Sequence, residues 1–233
     1  GTLISFFLFA KTRKVYRVRT NLHKVKEISN LFPGRDLSPN IFLNENNVKN
    51  KSFLNLTQKI ASNKKLVIVA PSANWIGKTW PIQNFCSLLK KLYKNANFKN
   101  SYFIVVGPKN EKKCIEGLLK LKDVPIFDLV GKTDLVEIFL IMKKSKLFIG
   151  NDSGLMHLSA LADIPTVGLF GPSDSKRYHP WGKETLAIKS PKSPNQLMGH
   201  KEFNPKKVNS LMKDLTVNYV FKELIKFYKT CYD

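Results

Sequence analysis

Residues Leu147–Phe170, LFIGNDSGLMHLSALADIPTVGLF, decide the fold. Leu147 to Gly150 is a short apolar run, long enough for a buried strand and too short for a helix. Gly150-Asn151-Asp152-Ser153-Gly154 is small and polar and reads as a tight connection. Gly154 to Ala162 then follows helical spacing, and Thr166 to Phe170 is a second buried strand. A strand, a helix and a strand in so few residues form a crossover unit, which makes the two strands parallel.

Reading outward, the same alternation repeats. Upstream, Leu66 to Ala70 (LVIVA) suits a strand buried on both faces. Pro81 to Tyr93 is an amphipathic helix with proline in its first turn, followed by a strand at Tyr102 to Val106 and a helix at Glu111 to Leu121. Pro125 to Val130 is a strand and Leu135 to Lys144 a helix; downstream come a strand near Thr185 to Ile188 and a helix at Val217 to Tyr228. The pattern predicts an α/β fold, a Rossmann-like parallel sheet wrapped by helices on both faces. Residues 1–62 differ in character. Val15 to Thr20 alternates like a strand, His23 to Phe32 has helical spacing, Pro33-Gly34 breaks, Ile41 to Leu43 is a short strand, and Asn46 to Ala61 reads as a helix. The expected division is therefore 1–62 and 63–233.

Hydrophobic content of 43% and charged content of 24% in 233 residues suit a globular chain. Lys+Arg of 39 against Asp+Glu of 17 leaves +22. Such a surface favours anionic partners such as acidic headgroups or phosphorylated glycolipid. The lysines are scattered among asparagines, a pattern that AT-rich coding also produces. No nucleic-acid-binding module is present, so nucleic acid is not the expected partner. Cys86, Cys114 and Cys231 are too widely spaced for a metal site and odd in number, which fits a reducing cytoplasm. The run Leu3 to Ala10 (LISFFLFA) is too short to span a bilayer. The chain begins at Gly1, inside an apolar pattern, so further sequence is expected upstream.

In a parallel sheet, ligands bind beyond the carboxyl ends of the strands. The loop Gly150 to Gly154 lets a ligand approach the backbone, and free amides at the following helix start make an anion site. Ser153 can add a hydroxyl. Asp152 admits two readings: an N-cap, or an acceptor for sugar hydroxyls beside a phosphate. His157, one turn on from Ser153, is either a packing residue or a ligand contact. Lys78 is either a surface lysine or the ammonium that stabilises a departing diphosphate without metal. Ser72 and Asn74 share its loop, as do Trp75 and Trp80, which can stack or pack. Glu111 suits the start of a helix through the dipole, or a ribose through its carboxylate. No Walker loop, GxSxG elbow, HExxH helix or GxGxxG fingerprint occurs.

These loops resemble glycosyltransferase family 9, the heptosyltransferases of lipopolysaccharide core assembly. Four blocks carry the likeness: Ala70-Pro71-Ser72-Ala73 through Lys78-Thr79-Trp80-Pro81; Val106-Gly107-Pro108 with Glu111; Leu129 through Leu135; and Gly150-Asn151-Asp152-Ser153-Gly154-Leu155-Met156-His157 running on to Phe170-Gly171-Pro172. The resemblance implies a GT-B fold whose C-terminal domain, 63–233, binds an ADP-sugar, ADP-heptose by expectation. It implies inverting transfer to a lipid-linked glycan at the inner membrane surface, with no cofactor or obligatory metal, by a cytoplasmic monomer that can sit peripherally on the inner membrane. On that pattern Ser72, Asn74 and Lys78 contact the diphosphate, Glu111 the ribose, Thr133 and Leu135 the base, and Asp152, Ser153, Gly154 and His157 the sugar and phosphates. The family's general base, an acidic residue early in the N-terminal domain, matches no position here. Residues 1–62 are then the end of the acceptor domain, and this stretch alone is expected to bind donor poorly and to catalyse nothing. The alternatives are a transferase using another nucleotide sugar and a noncatalytic nucleotide-sugar binder.

Overall fold

The protein is described from a computed structural model covering residues 22–30 and 64–232. The strands expected at 15–20 and 41–43 and the helix expected at 46–61 lie outside those residues. Within them, six strands are all parallel: β1 Lys65–Ala70, β2 Ser101–Val105, β3 Ile126–Asp128, β4 Leu147–Asn151, β5 Thr166–Phe170 and β6 Thr185–Lys189. Their order is β3-β2-β1-β4-β5-β6. The direction of travel reverses between β1 and β4, so the crevice where ligands bind in such sheets opens beyond those two strands.

Successive strand residues point to opposite faces, which splits the core in two. Val67, Val69, Phe103, Val105, Leu147, Ile149, Val167 and Leu169 face one layer. That layer holds the helix Ile82–Lys94, through Phe85, Leu88, Leu89 and Leu92, and the C-terminal helix Val217–Tyr232, through Val220, Leu224 and Tyr228. Leu66, Ile68, Ala70, Ile104, Val106, Phe148 and Phe170 face the other, against helix Leu135–Lys143 and Met156 of helix Gly154–Leu161. A fully buried leucine or phenylalanine contributes roughly 1.5–3 kcal/mol, so both faces hold the sheet rather than one.

The expected helix at Glu111 to Leu121 is tighter and shorter. A 3-10 segment at Lys109–Ile115 gives way to an α-helix at Glu116–Leu119. Its buried anchors, Ile115 and Leu118, are three residues apart, and Gly117 contributes nothing between them. Two short helices, Ser175–Tyr178 and Pro194–Met198, were not legible as helices from apolar spacing, being held by Asp174 and Ser193 caps. Helix Lys24–Ser29, inside the region with helical spacing, docks beside the β5–β6 connection. The His23 Nδ1 accepts from Val25 N at 3.2 Å, so its Nε2 carries the proton and donates to the His179 carbonyl at 2.9 Å. Glu27 and Arg177 form an ion pair buried on both sides. Among the described residues no helix is long and apolar enough to cross a membrane.

Candidate functional site

Gly150 is the last β4 residue in register with β1, opposite Ala70. A Cβ there would lie 2.9 Å from both the Ala70 Cβ and its carbonyl oxygen, so only glycine lets the strands close at their carboxyl ends. Asn151, fully buried, follows. Its Oδ1 accepts the Trp80 amide at 2.9 Å and its Nδ2 donates to the Pro71 carbonyl at 2.8 Å. The loop after β1 is thereby held at both ends by the residue that ends β4.

Between those ends the chain makes a 3-10 turn, Ile76–Lys78, and Lys78 Nζ meets Asp152 Oδ2 at 2.7 Å across the crevice. Asp152 does not cap the helix; Ser153 occupies that position, in extended conformation and without a side-chain capping bond. The N-cap alternative for Asp152 is therefore excluded, because its carboxylate turns to Lys78 instead. The Ser153 Oγ is buried and has no partner. An unused buried hydroxyl beside uncapped helix amides is a costly arrangement that a bound anion would relieve. Trp80 is core: it is buried, donates Nε1 to the Leu215 carbonyl at 2.7 Å and stacks edge-on against Phe85. Trp75 donates Nε1 to the Pro205 carbonyl at 2.8 Å and lies edge-on to Phe203.

A cleft of about 550 Å³ collects Ser72, Asn74, Lys78, Glu111, Leu135, Asp152, Ser153, Gly154 and His157. Ala73, Pro108, Leu155 and Leu158 complete its wall, all apolar residues that polar-motif reasoning passed over. Thr133 is not in the lining; its Oγ1 is buried without a partner. Glu111 sits in the first turn of the 3-10 segment and Leu135 is 65% exposed at the mouth, an apolar side chain offered to solvent. Burial pushes the His157 imidazole below its ordinary value; Asp152 opposes this, while His179 and Lys78 add to it. The ring is thus neutral at neutral pH and can donate one hydrogen bond. No group of His, Cys, Asp and Glu able to hold a metal occurs among the described residues.

The arrangement offers a cation, a neutral donor, a hydroxyl and helix-start amides, together with the apolar side chains of Pro108, Leu135, Leu155 and Leu158. The profile of glycosyltransferase family 9 (heptosyltransferase) matches residues 7–207. The chain belongs to glycosyltransferase family 9. This family 9 chain is 29% identical over 135 residues to a lipooligosaccharide heptosyltransferase 2 of Campylobacter jejuni, covering 55% of the chain and 40% of that protein. The solved Escherichia coli ADP-heptose lipopolysaccharide heptosyltransferase II superposes with a TM-score of 0.65 at 21% identity, over 88% of this chain and 58% of that one. The Escherichia coli heptosyltransferase WaaC with ADP gives a TM-score of 0.62 at 17% identity, over 97% and 62%. The family 9 chain spans less than half the length of the curated relatives it matches. The α/β, GT-B-like fold class expected from the sequence agrees with these neighbours.

Proposed function

We propose that the cleft at the β1–β4 crevice is the donor site of an inverting glycosyltransferase that moves a heptose from its ADP-sugar to a lipopolysaccharide core or related lipid-linked acceptor. The observation that carries this reading is the Lys78–Asp152 pair at 2.7 Å beside the unpartnered Ser153 hydroxyl. An ammonium has three N–H donors and spends one on Asp152, so two remain for a diphosphate. The same pairing resolves the oddity of a carboxylate in a phosphate site: Lys78 offsets its charge, and its remaining lone pairs suit sugar hydroxyls. The names of the relatives, heptosyltransferases of lipopolysaccharide and lipooligosaccharide, and of the neighbour holding ADP support the donor and acceptor classes.

In the proposed reaction the acceptor hydroxyl attacks the anomeric carbon opposite the diphosphate. Its proton passes to a carboxylate supplied by the acceptor domain, of which 1–62 is the proposed final part and 63–233 the donor domain. The C–O bond to the diphosphate breaks, and Lys78 with the Ser153 and Gly154 amides receives the developing charge. Leu135 would lie against the base, Glu111 against the ribose, and Ser72 and Asn74 against the diphosphate. The chemistry needs no resident cofactor or metal, since Lys78 and the amides supply the positive charge. Calorimetric titration of the full-length protein with ADP-, GDP- and UDP-sugars tests the reading. Saturable binding of the ADP-sugar alone is the expected result; a preference for a uridine or guanosine donor rejects the ADP assignment.

A further inference from the structure

We propose that Asn151 is a positioning residue, a buried clamp that sets Lys78 within reach of the diphosphate; this rests on the donor-site reading above. The carbonyl of Pro71 follows the last β1 residue, and the Trp80 amide precedes helix Ile82–Lys94, with Pro81 between. Neither has a backbone partner among the described hydrogen bonds. Pro71 and Trp80 are both buried, so each group needs a protein partner. A carbonyl can only accept and an amide N–H can only donate, which fixes the orientation of the Asn151 carboxamide without ambiguity. One side chain thus closes the loop Pro71–Trp80 at its two ends.

The next residue, Asp152, pairs with the loop's Lys78 in the wall of the cleft. The dipeptide Asn151-Asp152 therefore pins a single loop at three points, two to backbone and one to the functional ammonium. Lys78 stands on a 3-10 turn with no side-chain cap, whose Gly77 carbonyl accepts the Leu211 amide at 3.2 Å and whose Trp75 is tied to the Pro205 carbonyl. The Asn151 clamp sets the two ends of the loop that carries this turn, and with them the turn's position against Asp152. Residue 151 acts on Lys78 through the loop and on Asp152 through its own chain neighbour, yet its side chain is fully buried and does not line the cleft. An apolar residue of similar size would leave the Pro71 carbonyl and the Trp80 amide buried and unpaired, and the loop would shift to hydrate them.

Aspartate at this position gives a chemical handle. Protonated, it reproduces the clamp: its hydroxyl donates to the Pro71 carbonyl and its carbonyl accepts from Trp80. Ionised, it turns a lone pair on Pro71 and breaks one arm. A carboxyl in so buried a place titrates well above its ordinary value. Asn151→Asp should therefore bind ADP nearly as the wild type does at mildly acid pH and lose affinity as pH rises, a limb absent from the wild-type ratio.

The test measures ADP affinity, kcat and KM of full-length wild type, Asn151→Leu and Asn151→Asp across pH, with a crystal structure of each variant. Asn151→Leu should weaken ADP by about tenfold and lower kcat by on the order of 100-fold, since small displacements of a positioned group have effects of that size. Should Asn151→Leu not fold, the pH limb of Asn151→Asp carries the test, and a flat ratio to wild type overturns the clamp. Unchanged ADP affinity with Lys78 and Asp152 still in contact in either variant also overturns it. A wild-type protein that binds no ADP rejects the donor reading; the Lys78–Asp152 separation in the variants then decides the clamp alone, a separated pair upholding it and an intact pair refuting it.

Discussion

Two neighbouring loops leave the carboxyl edge of the sheet side by side, and they are held by different means. Pro71–Trp80 after β1 is fixed mainly by buried side chains: the Asn151 carboxamide, the Asp152 carboxylate and the packed Trp80 ring, with one backbone bond from the Leu211 amide to the Gly77 carbonyl. The loop after β2, Gly107 onward, is fixed by backbone. Gly131, at φ +68, donates its amide to the Gly107 carbonyl at 2.9 Å and lies so close to Lys109 that a Cβ would come within 2.5 Å of that residue's Cβ. Around it, Lys112 and Lys132 reach Asp128 at the surface. The first loop carries the group proposed to meet developing charge, which tolerates little displacement. The second carries Glu111, whose proposed ribose contact is a matter of recognition. Where charge must be aimed, this fold spends buried polar contacts; where a surface is merely shaped, close backbone approach suffices.

Lys78→Ala in the full-length protein tests the first loop most severely. Loss of one preorganised donor to a developing oxyanion typically lowers kcat by on the order of 10²–10³-fold. A steady-state assay with the ADP-sugar should find a loss of that size in kcat, larger than any change in KM. Kinetics unchanged within error would remove Lys78 from the leaving-group role and erase the distinction between the loops. Next in size is Gly131→Ala. The positive φ and the approach to Lys109 together should cost roughly 2–3 kcal/mol. Urea unfolding measures it, and a loss below 0.5 kcal/mol would mean that the second loop yields freely and is not held by its backbone.

How far this was legible beforehand follows the same division. The strands and the helices at Ile82–Lys94, Leu135–Lys143 and Gly154–Leu161 could be read because apolar runs and helical spacing report burial directly. The polar residues of the cleft could be read because small residues and charges cluster after strands. Asn151 stood in the quoted motif without a role, since a buried amide shows no periodicity and its partners are backbone groups far away in sequence. The Lys78–Asp152 pair joins residues on two different loops, and spacing along the chain carries no trace of it. Thr133 differs from its neighbours in that block: it does not line the cleft, and its hydroxyl is buried without a partner.

A third prediction concerns acid. Burial lowers the His157 imidazole in the folded state, so between its depressed value and the ordinary 6.5 the unfolded chain binds a proton that the folded chain refuses. Stability contributed by the neutral ring is therefore present above 6.5 and is lost as pH falls through the folded value. His23 is lowered for the same first reason, burial, with its bond to the His179 carbonyl opposing, and adds to the slope. Unfolding free energies at pH 7.5 and 5.5, chosen at about one unit either side of the ordinary imidazole value, should differ less in His157→Gln than in wild type. An equal difference in both proteins would mean that the cleft ring does not titrate between the two states.

The smallest effect belongs to the second loop's ion pairs, and its smallness is what the comparison requires. Burial alone would raise the Asp128 carboxyl, but hydrogen bonds from Lys112, Lys132 and the Val130 amide carry it below its ordinary value. Lys112 is 44% exposed on its side chain and Lys132 is 52% exposed, so each pair is screened by solvent, and each can stand in for the other at the same carboxylate oxygen. Exposed pairs of this kind are worth about 0–1 kcal/mol. Lys112→Ala should therefore change urea stability by less than about 0.5 kcal/mol and leave ADP affinity within twofold. A loss above about 2 kcal/mol would show that the surface cations, not Gly131, hold the second loop, and the contrast with the buried clamp of the first would have to be redrawn as one of degree.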